Sequence, residues 1–284
     1  MKVAEPGKPV QIENFGIPVS RLLGRNPGPM TGPGTNSYLI GADRLCLVDP
    51  GPRDAEQFDS FMAAIGKRQL DYILVTHTHG DHSPGALRLH EATGAELVGL
   101  PAPDVAGHDK SFLPSRQWRG GDQLDCGEYT IELIHTPGHV SNHLCFLLQE
   151  ELLLFTGDHV LQGTTSVILP PDGDMGAYLD SLHELRARPL RALAPGHGDI
   201  MHGPHDEIDK LIAHRLKREQ KTIDCLQQMG DVTIEELVLK VYDDVAPHLL
   251  PWAQKTLLAH LIKLQRDARV EQVEKRWVLR SAAV

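Results

Sequence analysis

The sequence predicts an α+β fold: two sheets with helices on their outer sides, followed by a smaller helical unit. Two observations carry this. From Ser37 onward, short apolar strand-like runs alternate with amphipathic stretches, and many are joined by tight turns. After His205 the turn residues thin out and charged, helix-periodic sequence takes over.

Taken in order, residues 37–40 and 44–48 read as a hairpin around Gly41-Ala42-Asp43. Residues 55–67 carry a helical pattern, and 71–76 form a short apolar strand. Ser83-Pro84 reads as an N-cap with Pro at the first helical position, and Gly94 closes that helix. Strands are expected at 96–99, 129–135, 144–148, 151–155 and 191–194, with a helix at 175–186. Beyond the boundary, 205–229 is one long charged helix, followed by helices at 234–241 and 252–266. Residues 269–274 and 276–279 complete the chain as a hairpin. Three helices and a two-stranded wing form a winged-helix-like pattern. The expected domains are therefore 1–204 and 205–284.

The 284 residues suit one large and one small domain, and 41% hydrophobic with 23% charged residues is ordinary for a globular chain. No apolar run approaches the roughly 20 residues of a membrane helix. The polar start, Met1 to Asn14, lacks the apolar core of a secretory signal, so a cytosolic location is the default. The four cysteines are scattered, and Cys46 and Cys145 read as buried free thiols. Net charge is −10. Residues 1–204 hold 25 acidic and 15 basic side chains, and the remainder holds 13 of each. A broad electrostatic grip on nucleic acid is not written into the larger part.

The chemistry concentrates in Thr76-His77-Thr78-His79-Gly80-Asp81-His82. Three imidazoles and a carboxylate are a donor set that suits zinc and similar divalent ions. In an extended segment His77 and His79 share one face and can share one ion, whereas Asp81 and His82 point elsewhere. Three Gly-flanked candidates follow: His139 after Pro137-Gly138, Asp158 after Gly157, and His197 after Pro195-Gly196. Each candidate follows an apolar strand and a turn, so rigid strand ends project the ligands toward one place. A lone histidine at such a junction is usually structural; four matched segments in this order are not.

The order and spacing of His77, His79, Asp81, His82, His139, Asp158 and His197 resemble the metallo-β-lactamase superfamily. Asp49, in Leu47-Val48-Asp49-Pro50-Gly51, is similar to that superfamily's first motif, where the aspartate supports the ligands and is not one itself. The segments Asn26-Pro27-Gly28-Pro29-Met30 and Gly34-Thr35-Asn36-Ser37-Tyr38 narrow the resemblance. So do His214-Arg215, Arg218-Glu219-Gln220 and His260-Leu261-Ile262-Lys263-Leu264. They resemble the β-lactamase-like protein 2 group, which carries a winged-helix-like C-terminal domain. The resemblance implies a four-layer αββα sandwich with two zinc ions per chain, manganese and iron being alternatives. His77, His79 and His139 would hold one ion, Asp81, His82 and His197 the other, and Asp158 would bridge them.

Two ions about 3.5–4 Å apart can share a water and lower its pKa toward about 7, which makes a bridging hydroxide the nucleophile. The net positive charge of such a centre favours an anionic or strongly polarised substrate. Asp81 counts as both ligand and catalytic residue. His143, in the turn that bears His139, is the better candidate for a leaving-group acid or a support, and His159 is the weaker one; structural roles are the competing reading for both. Ser83 and Ser141 are read as a cap and a turn residue.

Three functions are weighed. The first is a phosphodiesterase or endoribonuclease on single-stranded RNA. It draws on the group resemblance and on the basic run Lys210, Arg215, Lys217, Arg218 and Lys221, for which a solvated helix face is the competing reading. The second is a thioesterase on acyl-glutathione or acyl-carrier substrates, because a thiolate of pKa about 8.5 leaves without a clear general acid. The third, disfavoured by the intact ligand set, is a non-catalytic winged-helix binding protein on a hydrolase scaffold. β-Lactam hydrolysis is the least supported activity.

Overall fold

The computed structural model describes residues 5–280. It contains two larger sheets, a small third sheet and six α-helices among those residues. The chain divides into two compact units. The first comprises Met1–Thr136, Asn142–Ser166 and Ala187–His205, and the second Pro137–Ser141, Val167–Arg186 and Asp206–Val284. The two short segments within the first 204 residues that join the second unit are not visible in the sequence pattern.

In the first unit, β1 (Val10–Gln11), β2 (Val19–Leu23), β3 (Asn36–Ile40) and β4 (Arg44–Val48) form an antiparallel run. After α1 (Ala55–Ile65), β5 (Gln69–Leu74) joins β4 in parallel. After α2 (Ala86–Thr93), β6 (Glu96–Val98) does the same beside β5. The second sheet is built from β7 (Gln123–Asp125), β8 (Thr130–His135), β9 (Leu144–Leu148), β10 (Leu153–Gly157) and, beyond the 175–186 helix, β11 (Ala192–Pro195). Its order is β11-β10-β9-β8-β7, with β10 and β11 parallel.

The period of two in the strands explains how this unit layers. Tyr38, Ile40, Cys46, Val48 and Leu74 project from the first sheet into a core shared with Ile131, Leu133, Phe146, Phe155 and Ala194 of the second. The alternate residues, Leu39, Leu45, Leu47 and Ile73, face outward and are covered by Phe61 and Ile65 of α1 and Leu89 of α2. Both faces of the first sheet are thus buried, which is why its central strands read as continuous apolar runs. Cys46, Cys126 and Cys145 are buried, Cys225 is half-buried, and none of the four is in a disulfide.

The second unit holds α3 (Met175–Arg186) and α4 (Pro204–Met229), which begins at the boundary. It continues with β12 (Val232–Thr233), α5 (Ile234–Val241), α6 (Leu250–Arg266), β13 (Val270–Val273) and β14 (Arg276–Leu279). The small sheet runs β12-β14-β13. Thr233 caps α5 through a reciprocal box with Glu236. Leu226, Leu237, Val241, Leu257, Leu261, Val270 and Trp277 form this unit's own core.

The α+β class and the two-sheet layering agree with the sequence. One expectation needs correction. Ser83 does not cap α2: that helix starts at Ala86 behind Gly85 with no side-chain cap, and the Ser83 hydroxyl donates instead to Asp109 Oδ2 at 2.8 Å. Gly94 closes the helix in the left-handed conformation, as expected. No helix among the described residues is long and apolar enough to cross a membrane.

Candidate metal centre

The candidate ligands and the supporting Asp49 all follow the C-terminal ends of strands. Asp49 follows β4, the His77–His82 segment follows β5, His139 follows β8, Asp158 follows β10 and His197 follows β11. Within each sheet these strands run the same way, β4 with β5 and β10 with β11 by direct parallel pairing. The edge where parallel strands end is where an α/β arrangement can converge side chains from separate loops. A backbone bond from Leu144 N–H to the Thr76 carbonyl, 2.7 Å, ties the second sheet to the histidine segment.

Within the first unit the ligand atoms of Asp81, His82 and His197 lie within 4.8 Å of one another, as do those of His77, His82 and Asp158. His82 Nε2 is 3.5 Å from Asp81 Oδ2 and 3.3 Å from Asp158 Oδ1. His197 Nε2 is 3.3 Å from Asp81 Oδ2 and 3.4 Å from Asp158 Oδ1. His77 Nε2 and His79 Nδ1 approach to 2.9 Å. The structure therefore brings together His77, His79, Asp81, His82, Asp158 and His197. His139 belongs to the second unit, is buried, and has its Nδ1 2.6 Å from the Val167 carbonyl.

Asp49 sits behind the cluster, 1% exposed. Its carboxylate accepts from Thr76 N–H (2.8 Å) and the Thr76 hydroxyl (2.7 Å), and lies 2.9 Å from His82 Nδ1. The Thr76 hydroxyl is also 3.1 Å from His77 Nδ1. This network assigns the Nδ1 proton of both imidazoles to the supporting side and the lone pair to Nε2. The carbonyls at His139 (Val167) and His197 (Gly34, 3.3 Å) make the same assignment. Oriented imidazoles of this kind are what metal ligation requires.

The electrostatics also fit a cation. Burial opposes a proton on His82, but Asp81, Asp158 and Asp49 outweigh it and hold its pKa well above the imidazole range. Burial likewise disfavours charge on His197, and Asp158 and Asp81 raise its pKa. Burial would raise the pKa of Asp81, yet His82 and His197 hold it well below the usual carboxylate range. Three acidic side chains thus call for positive charge at the point between these rings. His82 Nε2 is buried there without a hydrogen-bond partner among the described residues, as a metal ligand would be. Gly196 leaves the necessary room: a Cβ on it would lie 2.8 Å from both Asp158 Oδ1 and His82 Cε1. The donors are nitrogen and carboxylate oxygen, a set that accepts zinc, manganese or iron.

His143 lies beneath the cluster and is 0% exposed. Its ring stacks on His77 (centroids 5.2 Å apart, 27° between planes), and its Nδ1 is 2.8 Å from Thr136 Oγ1. His159 is equally buried, with its ring 5.6 Å from that of His143. Neither imidazole opens onto solvent, which bears on the leaving-group role the sequence offered them. Sequence reasoning missed Thr76, Thr78, His108 and Asn142. Asn142 donates to Thr78 Oγ1 (2.8 Å), the same hydroxyl is 2.8 Å from His108 Nδ1, and the His108 ring lies 4.9 Å from that of His79. The signal was present in part: the threonines alternate with the histidines, and period two places them on the opposite face.

Comparison with known proteins identifies the family. The family model for the metallo-beta-lactamase superfamily matches residues 30–197, and the beta-lactamase associated winged helix domain matches residues 233–277. A Caenorhabditis elegans protein named beta-lactamase-like protein 2 homolog is 31% identical over 258 residues, covering 89% of this chain and 84% of the relative. An Aspergillus fumigatus protein named atrochrysone carboxyl ACP thioesterase is 34% identical over 277 residues, covering 89% and 82%. A crystal structure of a beta-lactamase domain protein from Burkholderia ambifaria superposes with a TM-score of 0.80 at 19% identity, covering 98% of this chain and 96% of the other. With the family model spanning more than half its length, the chain belongs to the metallo-β-lactamase superfamily and carries that superfamily's associated winged helix domain.

Proposed function

We propose that this protein is a binuclear metal-dependent hydrolase of acyl thioesters, including carrier-bound ones. His77, His79 and His139 would hold one divalent ion and Asp81, His82 and His197 the second, with Asp158 available to both; zinc is the first candidate. The observation that carries the hydrolase reading is His82 Nε2, buried without a hydrogen-bond partner between two carboxylates. Bound divalent ions supply a nucleophilic water at neutral pH and polarise the substrate's carbonyl oxygen. The chain's own residues do the rest. Asp49 and Thr76 lock the ring orientations of His82 and His77. His143, stacked on His77, is a positioning residue in this reading.

The thioester substrate draws on the Aspergillus relative's name and on leaving-group chemistry. A thiolate needs no proton to depart at neutral pH, which suits a site whose two extra histidines are buried. The RNA reading draws less support from the basic run on α4, in which Lys217 is exposed while the other four are engaged within the unit. Of the basic run on α4, Arg215 is buried beside Tyr178, and Arg218 makes two bonds to Asp244 (2.8 and 3.0 Å). Lys221 pairs with Asp243, and Lys210 with Glu207 at 2.7 Å. Charges already neutralised within the unit release few counterions on meeting a phosphate backbone.

The test is release of free thiol from a panel of acyl-glutathione, acyl-coenzyme A and acyl-carrier substrates, with labelled single-stranded RNA in parallel. Thiol release is expected, lost on chelation, restored by added zinc, and reduced at least about 100-fold in Asp158→Ala. Metal-dependent RNA cleavage with no thiol release from any member would overturn the thioester reading and restore the nuclease.

A further inference from the structure

Gln57 lies on the inner face of α1 and is 1% exposed, yet neither its side-chain nitrogen nor its oxygen has a hydrogen-bond partner among the described residues. A buried amide left unpaired is costly, so such a group is normally satisfied by something. Gln57 lines a cavity of about 310 Å³ in the first unit. That volume is at the lower end for small-molecule sites.

The cavity is graded from floor to mouth. Gln57, Phe61 and Leu89 are buried and form the floor; Phe58 and Pro52 are half-buried walls; Arg53 and Arg88 are exposed at the mouth. The Arg88 guanidinium lies 3.8 Å from the Phe58 ring centroid and has no carboxylate partner among the described residues. Arg53 donates to Ser111 Oγ at 2.8 Å. The Asp54 carboxylate, also part of the lining, is committed to capping α1 through Gln57 N–H at 2.7 Å. The wall is braced, because Gly85 N–H donates to the Gly51 carbonyl and Gly51 N–H to the His82 carbonyl. None of the candidate metal ligands lines this cavity.

Each tier selects a chemical feature. The Gln57 amide offers a donor and an acceptor side by side, and the group that satisfies both at once is another carboxamide edge. Phenylalanine and proline walls favour a flat aromatic body. Guanidinium groups at the rim, one of them stacked on an aromatic wall, favour an anion. We propose that this cavity binds a small aromatic carboxamide bearing an anionic group, with its amide on Gln57 and its anion at Arg53 and Arg88. This is a second ligand site, independent of the thioesterase reading.

Calorimetric titration of the full chain with terephthalamate, benzamide and benzoate tests it. Terephthalamate carries both groups, and each control lacks one. Terephthalamate is expected to bind most tightly. In Gln57→Leu, which is close in volume and carries no amide to leave unpaired, its affinity falls about tenfold or more, the loss of a hydrogen-bonded contact in a dry pocket. Benzoate affinity is unchanged in that variant. The exposed substitution Arg88→Gln weakens terephthalamate and benzoate and spares benzamide. Gln57→Leu is also expected to raise the melting temperature without ligand, because it removes the unpaired amide. The proposal is overturned if none of the three binds at millimolar concentration. It is equally overturned if terephthalamate binds no better than benzoate, or binds wild type and Gln57→Leu alike, since Gln57 then holds only water.

Discussion

At the scale of single residues, the candidate centre depends on groups that would never touch a substrate. The buried Asp49 carboxylate has three interactions, with Thr76 N–H, the Thr76 hydroxyl and His82 Nδ1. Asparagine would keep the volume and tolerate the backbone φ of 48° at this position. It would, however, turn an NH₂ toward a neighbour that already donates. Asp49→Asn is therefore expected to weaken metal binding about 10- to 100-fold while the protein stays folded. A metal titration followed by circular dichroism checks both halves; unchanged affinity would show that Asp49 does not orient His82. Gly196 makes a complementary case. It is not among the positive-φ glycines, so Gly196→Ala meets no left-handed backbone strain. Its new methyl would instead press on Asp158 Oδ1 and His82 Cε1 at 2.8 Å. Loss of bound metal with an intact fold is expected, measured as metal content after dialysis.

At the scale of elements, residues whose local chemistry matched their tertiary surroundings were legible. The 144–148 strand and the 175–186 and 234–241 helices occur at the bounds the periodicity indicates. The ligand turns were legible because glycine-flanked polar residues after apolar strands are conspicuous. Strands β1 and β2 were not, because Val10–Gln11 is exposed and Val19–Leu23 interrupts its apolar face with Ser20 and Arg21. Residue type alone does not single out Gln57, although it falls on the same stripe as Phe61 and Ile65, four and eight residues on. Helix α3 permits a quantitative prediction. The Asp174 side chain accepts from Gly176 N–H (2.9 Å) and Ala177 N–H (3.1 Å) and pairs with Arg266. Burial raises its pKa, but Arg266 and the two backbone donors outweigh that and lower it below the usual carboxylate value. A depressed folded pKa means stability that is present above the unfolded value, near 3.9, and is lost as pH falls through the folded one. Asp174→Ala should cost about 1 kcal/mol at pH 7, chiefly through the cap, since the Arg266 pair is half-exposed and screened. Urea denaturation at pH 7 and below pH 3 checks it: the deficit of the variant should shrink at low pH, and an equal deficit at both would disprove the ionised cap.

At the scale of the whole molecule, the division into units recasts the role of the C-terminal part. A boundary near residue 205 suggests a catalytic domain that can be cut free of an appended winged helix. The contacts argue otherwise. Pro137–Ser141, which bears His139, and Val167–Arg186, which bears α3, group with the C-terminal residues and not with the sheets. Inside that unit the His139 ring is held by the Val167 carbonyl, and Ser181 Oγ donates to the Pro137 carbonyl at 2.8 Å. Gly138 packs so tightly on Tyr178 that an added Cβ would lie 2.3 Å from its Cα. Arg266 and Arg215, both beyond the boundary, pair with Asp174 and stack near Tyr178. The segment that presents one candidate ligand is thus anchored to α3, and α3 is anchored to residues that a cut at 204 would remove. A chain of residues 1–204 is expected to bind less than the full complement of metal and to melt at lower temperature than the intact protein. Metal content after zinc loading and a thermal melt provide the comparison. Full metal content, activity and stability in the short chain would show that His139 is positioned without the C-terminal residues, and that the winged helix domain is an appendage after all.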